Sequence, residues 1–186
     1  MYSTSEFKRG LKIELDGQPY AIVEFQHVKP GKGGAFVRTK LKNLLTGRVL
    51  DQTFRSGERV KRPDLMEREM QYLYREGDQY CMMDNETYEQ LMLTTEQVGE
   101  ARLYLIENLN VKVLFFNQQP VAVEVPTFVE LEVAQTEPGV RGDTATGGTK
   151  PATLESGATL QVPLFINEGD RVKVDTRTGA YIERVK

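Results

Sequence analysis

The sequence has little of the chemistry that metal sites and disulfides require. Its 186 residues include one cysteine, one histidine and no tryptophan. A disulfide within the chain needs two cysteines, and a structural zinc site normally needs four nitrogen or sulfur ligands. Cys81 lies in an apolar segment, residues 80–83, that reads as a buried strand, where a free cysteine acts as a small hydrophobe. We therefore expect no metal and no cofactor.

Long apolar runs and targeting signals are also missing. No apolar run approaches the roughly 20 residues of a membrane-spanning helix. Residues 1–6 lack both the apolar core of a signal peptide and an arginine-rich amphipathic stretch. The composition, 39% hydrophobic and 27% charged, is typical of a globular protein of one to three small domains. We expect a cytoplasmic protein that contacts no membrane.

Catalytic motifs are equally scarce. His27 is accompanied by no Gly-x-Ser-x-Gly motif, paired metal-ligand motif or nucleotide-binding fingerprint. Carboxylates two residues apart, such as Glu130 and Glu132, are usually the solvated face of a strand. We expect no enzyme. An RNA-processing or hydrolytic activity remains as a further alternative to the functions considered below, and turnover assays on nucleic acids would test it.

The patterning that is present is that of β-strands. Residues 121–125, 129–133 and 171–175 alternate apolar and polar side chains with a period of two. This pattern predicts an all-β chain of sandwich or barrel domains. One helix is predicted to begin near Thr95, after an N-cap, and to run through Leu105, whereas residues 84–91 are ambiguous between turn, strand and helix.

Charge is divided very unequally along the chain. Strand runs are interrupted near Pro63 and Pro126, which predicts three domains at residues 1–63, 64–127 and 128–186. These contain 13, 4 and 7 Lys+Arg against 6, 12 and 9 Asp+Glu, for net charges of +7, −8 and −2. Clustered cations favour phosphate polyanions, so the first part is predicted to face RNA or DNA, with a merely solvated basic surface as the alternative. The acidic second part is suited to protein, solvent or the basic first part.

Two short segments repeat one another faintly. Leu-Phe-Phe-Asn at residues 114–117 and Leu-Phe-Ile-Asn at residues 164–167 each precede an alternating segment. The repeat suggests two related barrels, and chance similarity between amphipathic strands is an equal alternative.

A glycine-rich loop separates the predicted strands at residues 20–28 and 35–45. Glycine allows a tight, slender tip and proline stiffens its approach, so the loop is suited to project its one lysine. An ordinary solvated turn is the alternative. A phosphate-binding P-loop would need Ser or Thr after the lysine and a following helix, which the sequence lacks. The loop consists of Pro30, Gly31, Lys32, Gly33 and Gly34.

Several further motifs are spread along the whole chain. The C-terminal part carries Pro-Gly-Val-Arg-Gly-Asp-Thr-Ala-Thr-Gly-Gly-Thr-Lys-Pro-Ala at residues 138–152, Val-Pro-Leu-Phe-Ile at 162–166 and Val-Asp-Thr-Arg-Thr-Gly-Ala-Tyr at 174–181. The N-terminal half adds the Pro-Gly-Lys-Gly loop, together with segments at residues 42–47, 72–74 and 86–89. Together these motifs resemble those of bacterial elongation factor P.

The resemblance implies an SH3-like N-terminal barrel followed by two OB-type barrels, in an extended shape like that of a transfer RNA. It implies a translation elongation factor that contacts both ribosomal subunits between the peptidyl and exit tRNA sites and stimulates peptide-bond formation at consecutive prolines. The large-subunit stalk protein is a further candidate partner. A structural or regulatory RNA-binding or ribosome-binding paralogue is the alternative function. The expected state is a monomer.

The resemblance also implies roles for particular residues. Lys32 matches the position that the family modifies, through a dedicated enzyme, and that reaches towards the CCA end of the peptidyl tRNA. A lysine there suggests a lysine-like or amino-alcohol group. Charge and position make three neighbours candidate phosphate contacts: His27, Lys29 and Arg38. Positions matching the family's contacts with the small subunit, messenger and tRNA are Gly142, Asp143, Thr144, Gly147, Gly148, Tyr181 and Arg184.

Overall fold

The structure, a computed structural model, describes residues 1–139 and 148–186. The chain is all-β, as the alternating patterns predict. The strands are, in chain order, β1 (Tyr2–Ser3), β2 (Lys12–Leu15), β3 (Gln18–Val28), β4 (Phe36–Asn43), β5 (Val49–Arg55), β6 (Arg59–Val60), β7 (Met66–Glu76), β8 (Gln79–Asp84), β9 (Gln90–Thr94), β10 (Asn110–Phe116), β11 (Gln119–Glu124), β12 (Phe128–Thr136), β13 (Thr149–Leu154), β14 (Thr159–Pro163), β15 (Arg171–Asp175) and β16 (Ala180–Val185). Helical structure is confined to 3₁₀ turns at Thr4–Glu6 and Gly99–Tyr104 and to α1 (Thr95–Val98) within this part of the chain.

The chain divides into two compact units, Met1–Glu67 with Leu114–Ala122 and Arg68–Val113 with Val123–Lys186. In the first, an antiparallel sheet of order β2-β3-β4-β5 is accompanied by the pair β1-β6. An isolated bridge between Glu14 and Lys61 links β2 to the residue after β6, which curls the sheet towards a barrel. Its core is formed by Phe7, Ile13, Tyr20, Ile22, Val37, Leu41, Phe54 and Val60.

A smaller apolar cluster belongs to the same unit. It joins strand residues with two side chains from earlier connections, and its members are Leu44, Leu65, Leu114, Phe116, Val121 and Ala122. The repeated segments of the sequence therefore differ in structure, since residues 114–116 lie in β10 whereas residues 164–167 form a turn after β14.

In the second unit, β7, β8 and β9 form successive antiparallel pairs. Cys81 is fully buried in β8, as its apolar neighbours predict. The turn between β8 and β9 resolves the ambiguity at residues 84–91.

The predicted helix is much shorter than its pattern suggests, because α1 ends at Val98. Thr94 caps it, because the Thr94 hydroxyl accepts the Gln97 backbone N–H at 3.2 Å while the Gln97 side-chain oxygen accepts the Thr94 N–H at 2.8 Å. Gly99 then takes a positive φ of 64°, and the chain continues as a 3₁₀ turn instead of the expected helix to Leu105. A left-handed residue at this position ends a helix, so the correction follows from one glycine.

The C-terminal sheet has the order β14-β13-β12-β15-β16, and its two edge strands approach each other. This closure hides most of the exposed edges that an open sheet would present. Its core contains Tyr104, Val129, Leu131, Val133, Ala152, Leu154, Ala158, Val162, Ile166, Val172 and Val174.

One six-residue turn occurs three times in the described part of the chain, each time starting at the last residue of a strand. It begins at Asn43, Asp84 and Asp175, which are all buried although polar. In every copy the side chain of this first residue accepts a backbone N–H from the residue two positions later, at 2.7 to 2.9 Å. Burial of the three polar groups is explained by these bonds, because a buried acceptor needs a donor.

The later positions of the turn are shared too. The fourth residue is a threonine whose hydroxyl accepts the N–H of the sixth, and the fifth donates its N–H to the carbonyl of the first at 2.8 to 2.9 Å. The fifth residue has a left-handed backbone in all copies, with φ of 79° at Gly47, 63° at Tyr88 and 76° at Gly179. Only the middle copy places a side chain there.

In residues 1–139 and 148–186, no helix is long and apolar enough to span a membrane.

Candidate functional site

The glycine-rich loop is the tip of the long β3-β4 hairpin. Antiparallel pairing continues to the pair of Val28 with Phe36, and β5 supports β4 up to that same residue. The Ala35 carbonyl accepts the Ser56 N–H at 3.0 Å, so the outer strand holds the loop's second stem. The loop beyond these pairs is exposed from Lys29 to Gly34. The hairpin therefore presents the tip on a firm base.

The three glycines of the tip do different things. Gly33 has φ of 97°, a region that side chains with a Cβ rarely adopt, so its conformation requires glycine. Gly31 and Gly34 lack this requirement, and a Cβ at any of the three would meet no atom within 4 Å. Glycine at these two positions keeps the tip thin without being demanded by packing.

Lys32 lies at the centre of this tip and is exposed. In the described part of the chain, no hydrogen bond, ion pair or ring contact involves its side chain. A primary amine in such a position is accessible to a modifying enzyme and can extend into a narrow space. The geometry fits the predicted projection of Lys32.

Below the tip, β4 places its cations on one face. Arg38, Lys40 and Lys42 alternate with the buried side chains Val37, Thr39 and Leu41, so the three cations share the opposite side of the strand. The Arg38 guanidinium lies 5.4 Å from the ring centroid of Phe36, two residues closer to the tip. This cation–π contact holds Arg38 along the strand.

The structure does not bring the three candidate phosphate contacts to one face. Gln26 pairs with Arg38, and His27 pairs with Val37, so His27 and Arg38 point to opposite sides of the sheet. The His27 ring packs edge-on against Phe25, with centroids 5.8 Å apart. Lys29 lies beyond the last strand pair. A single phosphate therefore cannot be held by all three from one side.

Acidic residues also interrupt the cationic face. Glu24, Lys40 and Asp51 are register partners on three neighbouring strands, which places a carboxylate on each side of the Lys40 ammonium. They line a shallow depression of about 540 Å³ over the middle of the sheet. Arg38 is instead flanked by the neutral Gln26 and Thr53. Lys42 is paired with Ala21 and Val49, so Arg38 is the cation nearest the tip on this face that has no register-paired acid.

The predicted C-terminal contacts lie on β16. Tyr181 is half-buried against the core, and burial raises the pKa of its phenol. The Arg184 guanidinium lies 5.3 Å from the exposed ring of Phe165 and 3.9 Å from the Asp170 carboxylate. Sequence patterns gave no reason to select Phe165, because its exposure depends on the turn that buries its neighbour Ile166.

The remaining predicted residues of that region are described only in part. Gly148 is half-buried immediately before β13. Gly142, Asp143, Thr144 and Gly147 lie outside the described residues. Across residues 1–139 and 148–186, no group of three or more His, Cys, Asp or Glu side chains is arranged to hold a metal ion.

Three family models together match nearly the whole chain. Residues 3–60 match the elongation factor P KOW-like domain, residues 65–123 the elongation factor P OB domain, and residues 129–184 the elongation factor P C-terminal domain.

Individual relatives agree with these matches. The chain is 59% identical to elongation factor P of Natranaerobius thermophilus over 186 residues, which cover 100% of this chain and 99% of that one. It is 60% identical to elongation factor P of Moorella thermoacetica, with 99% and 100% of the two chains covered. Among solved structures, eukaryotic translation initiation factor 5A from Methanococcus jannaschii aligns with a TM-score of 0.46 and 26% identity, over 67% of this chain and 90% of that chain. The full-length identities establish that the chain belongs to the elongation factor P family and is a translation elongation factor.

Proposed function

We propose that the chain binds the ribosome between the peptidyl and exit tRNA sites and stimulates peptide-bond formation at consecutive prolines. In this proposal, Lys32 orders the CCA end of the peptidyl tRNA. The observation that carries it is the tip itself, where a lysine with no side-chain partner among residues 1–139 and 148–186 stands at the end of a strand-supported hairpin. Family membership supplies the setting, because a translation elongation factor acts on ribosomes.

The physical role of Lys32 is to position a substrate. Proline has a ring that fixes φ and restricts approach to reactive geometry. Ordering the tRNA end reduces the entropy lost on reaching the transition state, and positioning effects of this kind are large. The ribosome performs the chemistry, and the lysine lengthened by modification would extend its reach. No residue of this chain needs to act as acid, base or nucleophile.

A Lys32-modifying enzyme is part of the proposal. The side chain's exposure and the thin glycine tip on either side are suited to entry into an enzyme's active site. We expect the mass of the Lys32 peptide from native cells to exceed that of unmodified lysine by a lysine-like or amino-alcohol group. An unmodified peptide would mean that the bare loop acts alone.

Further contacts are proposed on position and charge. Arg38 would meet RNA phosphates on one side of the hairpin and His27 on the other, and Lys29 would meet them at the start of the loop. Tyr181 and Arg184, with the glycine-rich segment from Gly142 to Gly148, would face the small subunit, messenger and tRNA.

The proposed organisation follows the same function. It comprises three domains, at residues 1–63, 64–127 and 128–186, which the three family matches support. The middle domain would lie near the large-subunit stalk protein. We propose a cytoplasmic monomer.

The test is synthesis of a proline-run reporter in a reconstituted translation system. Lys32→Ala is expected to slow the proline run by about tenfold, since lost positioning has effects of at least that order. A control reporter without consecutive prolines should be unchanged. Lys8→Ala is the matched control, because Lys8 is an exposed lysine of the same unit far from the tip in sequence.

Two results would contradict the proposal. If Lys32→Ala supports the proline run as well as the native chain does, Lys32 is not the acting residue. If the native chain binds ribosomes without accelerating proline runs, the chain is a ribosome-binding paralogue with another task.

A further inference from the structure

Tyr88 has a left-handed backbone at a position where the other two copies of the recurring turn have glycine. In the recurring turn, the fifth residue is Gly47, Tyr88 or Gly179, and its φ lies between 63° and 79° in all three. A residue with a Cβ is destabilised there by roughly 1 kcal/mol or more. The middle turn therefore has tyrosine at a position where glycine would be more stable and where the other two turns have glycine.

The described part of the fold gains little packing from the Tyr88 side chain. Tyr88 is 71% exposed, more than any other large apolar or aromatic side chain described. Within residues 1–139 and 148–186, no ring contact or side-chain hydrogen bond involves it. Neither the left-handed backbone of Tyr88 nor its exposed ring stabilises the fold. The presence of tyrosine here therefore points to contact with another molecule.

The ring is presented from a rigid base. Asp84 accepts the N–H groups of Glu86 and Thr87 with its side chain, at 2.7 and 3.1 Å, and the N–H of Tyr88 with its carbonyl at 2.9 Å. Asn85 adds a side-chain hydrogen bond to Asn110 at 3.2 Å. A tyrosine on a fixed turn loses little entropy on binding, which is the property of an interface anchor.

The surroundings of Tyr88 select the chemistry of a partner. Glu86 and Glu89 are exposed on both sides of it, and residues 64–127 as a whole carry a net charge of −8. Carboxylates repel the phosphates of RNA. An arginine or lysine, by contrast, can lie on the tyrosine ring while pairing with either carboxylate.

We propose that Tyr88, with Glu86 and Glu89, is a contact site for a basic protein surface of the ribosome. An arginine or lysine of that protein stacks on the Tyr88 ring. Placing the partner on the ribosome rests on the proposed function. The choice of protein over RNA rests on the charges around Tyr88.

Substitutions at position 88 separate the ring from the backbone. Tyr88→Asn removes the ring and tolerates a left-handed backbone, so it should bind 70S ribosomes about tenfold more weakly, as expected for an interface anchor. Tyr88→Phe keeps the ring and should bind like the native chain. Tyr88→Gly should bind as weakly as Tyr88→Asn while melting at the same or a higher temperature than the native chain.

Charge reversal and crosslinking test the class of partner. Glu86→Lys with Glu89→Lys should weaken binding to 70S ribosomes if the partner is a basic protein, and should strengthen it if the partner is RNA. A photoreactive benzophenone side chain at position 88 should crosslink to ribosomal protein.

Unchanged binding by Tyr88→Asn, stronger binding after charge reversal, or crosslinks to RNA alone would each overturn the proposed contact while leaving the proposed function standing. A native chain that does not bind ribosomes would overturn both.

Discussion

Lys32 and Tyr88 are both exposed residues in β-hairpin connections, but the two connections present them by different means. Lys32 lies in residues 29–35, beyond the last strand pair, where three glycines keep the tip thin. Tyr88 lies in a turn closed by backbone and side-chain hydrogen bonds from Asp84. A tip of the first kind suits reach into a narrow space, whereas a turn of the second kind suits a contact at a fixed place. Although both side chains are exposed, we therefore expect changes to the hydrogen-bonded turn to lower the stability of the fold and changes to the tip to leave it nearly unaltered.

Removal of the Asp84 side chain should give the largest effect on the melting temperature, because it disrupts the hydrogen-bonded turn that carries Tyr88. Asp84→Ala leaves two backbone N–H groups without their acceptor, so the melting temperature should fall by roughly 5 °C. Lys32→Ala should leave it within about 1 °C of the native value. Thermal unfolding followed by circular dichroism measures both, with Glu86→Ala as the control in the same turn. Equal melting temperatures for Asp84→Ala and the native chain would show that the turn contributes no stability.

A smaller effect is expected from pH, and it sharpens the contrast among the three turns. The N–H of Thr87, and then that of Glu86, lower the pKa of Asp84, and the Arg177 side chain lowers the pKa of Asp175. A carboxylate with a folded pKa below its unfolded value of about 3.9 stabilises the fold above that pH. That stability is lost as pH falls through the folded pKa.

The variant Asp84→Asn tests this dependence, because the first turn already has Asn43 at the same position. Between about pH 5 and pH 2 its melting temperature should fall less than that of the native chain. Parallel melting curves of the two proteins against pH would contradict the assignment.

The smallest effect concerns the glycines of the tip. Gly33→Ala forces a Cβ into a left-handed backbone, a strain of about 1 kcal/mol that reduces the population of the native tip about fivefold. Proline-run synthesis should fall accordingly, with the melting temperature unchanged. Gly34→Ala is the matched control, since its φ is not in that region and a Cβ there meets open space. Equal activities for the two variants would mean that the tip conformation is unimportant.

Much of the fold and the tip could be predicted from the sequence, for identifiable reasons. Strand geometry places successive side chains on opposite faces, so the alternation of apolar and polar residues at 129–133 and 171–175 predicts β12 and β15. Glycine and proline mark the tip because few other residues suit such a connection. The sequence pattern does not predict the early end of α1, because a glycine can also occupy a helix interior and the positive φ of Gly99 is visible only in the structure.

The arrangement of the candidate contacts could not be predicted, because it depends on register. A β-bulge between Ile22 and Glu24 shifts the pairing of β3 with β4 by one residue. Each such shift moves side chains to the other face, so His27 and Arg38 separate. Nothing in the composition of the hairpin reveals that shift.

The recurring turn has a signal in the sequence, although a weak one. Its pattern of Asn or Asp, two residues, then Thr begins at Asn43, Asp84 and Asp175 and overlaps segments that also carry the family resemblance. The copies are far apart, and the middle one has tyrosine in place of glycine. A search for identical letters favours the apolar repeat at residues 114–117 and 164–167, which has no structural counterpart.

The pairing of β1 with β6 has a consequence for how the chain is made. Tyr2 pairs with Val60, and the first unit also includes Leu114–Ala122. The first unit therefore cannot be completed until more than a hundred residues after Tyr2 have been synthesised and have left the ribosome. The hairpin that carries Lys32 can form earlier from neighbouring residues, since local contacts form within microseconds. During synthesis, the local hairpin is thus available before the long-range closure that finishes its surroundings.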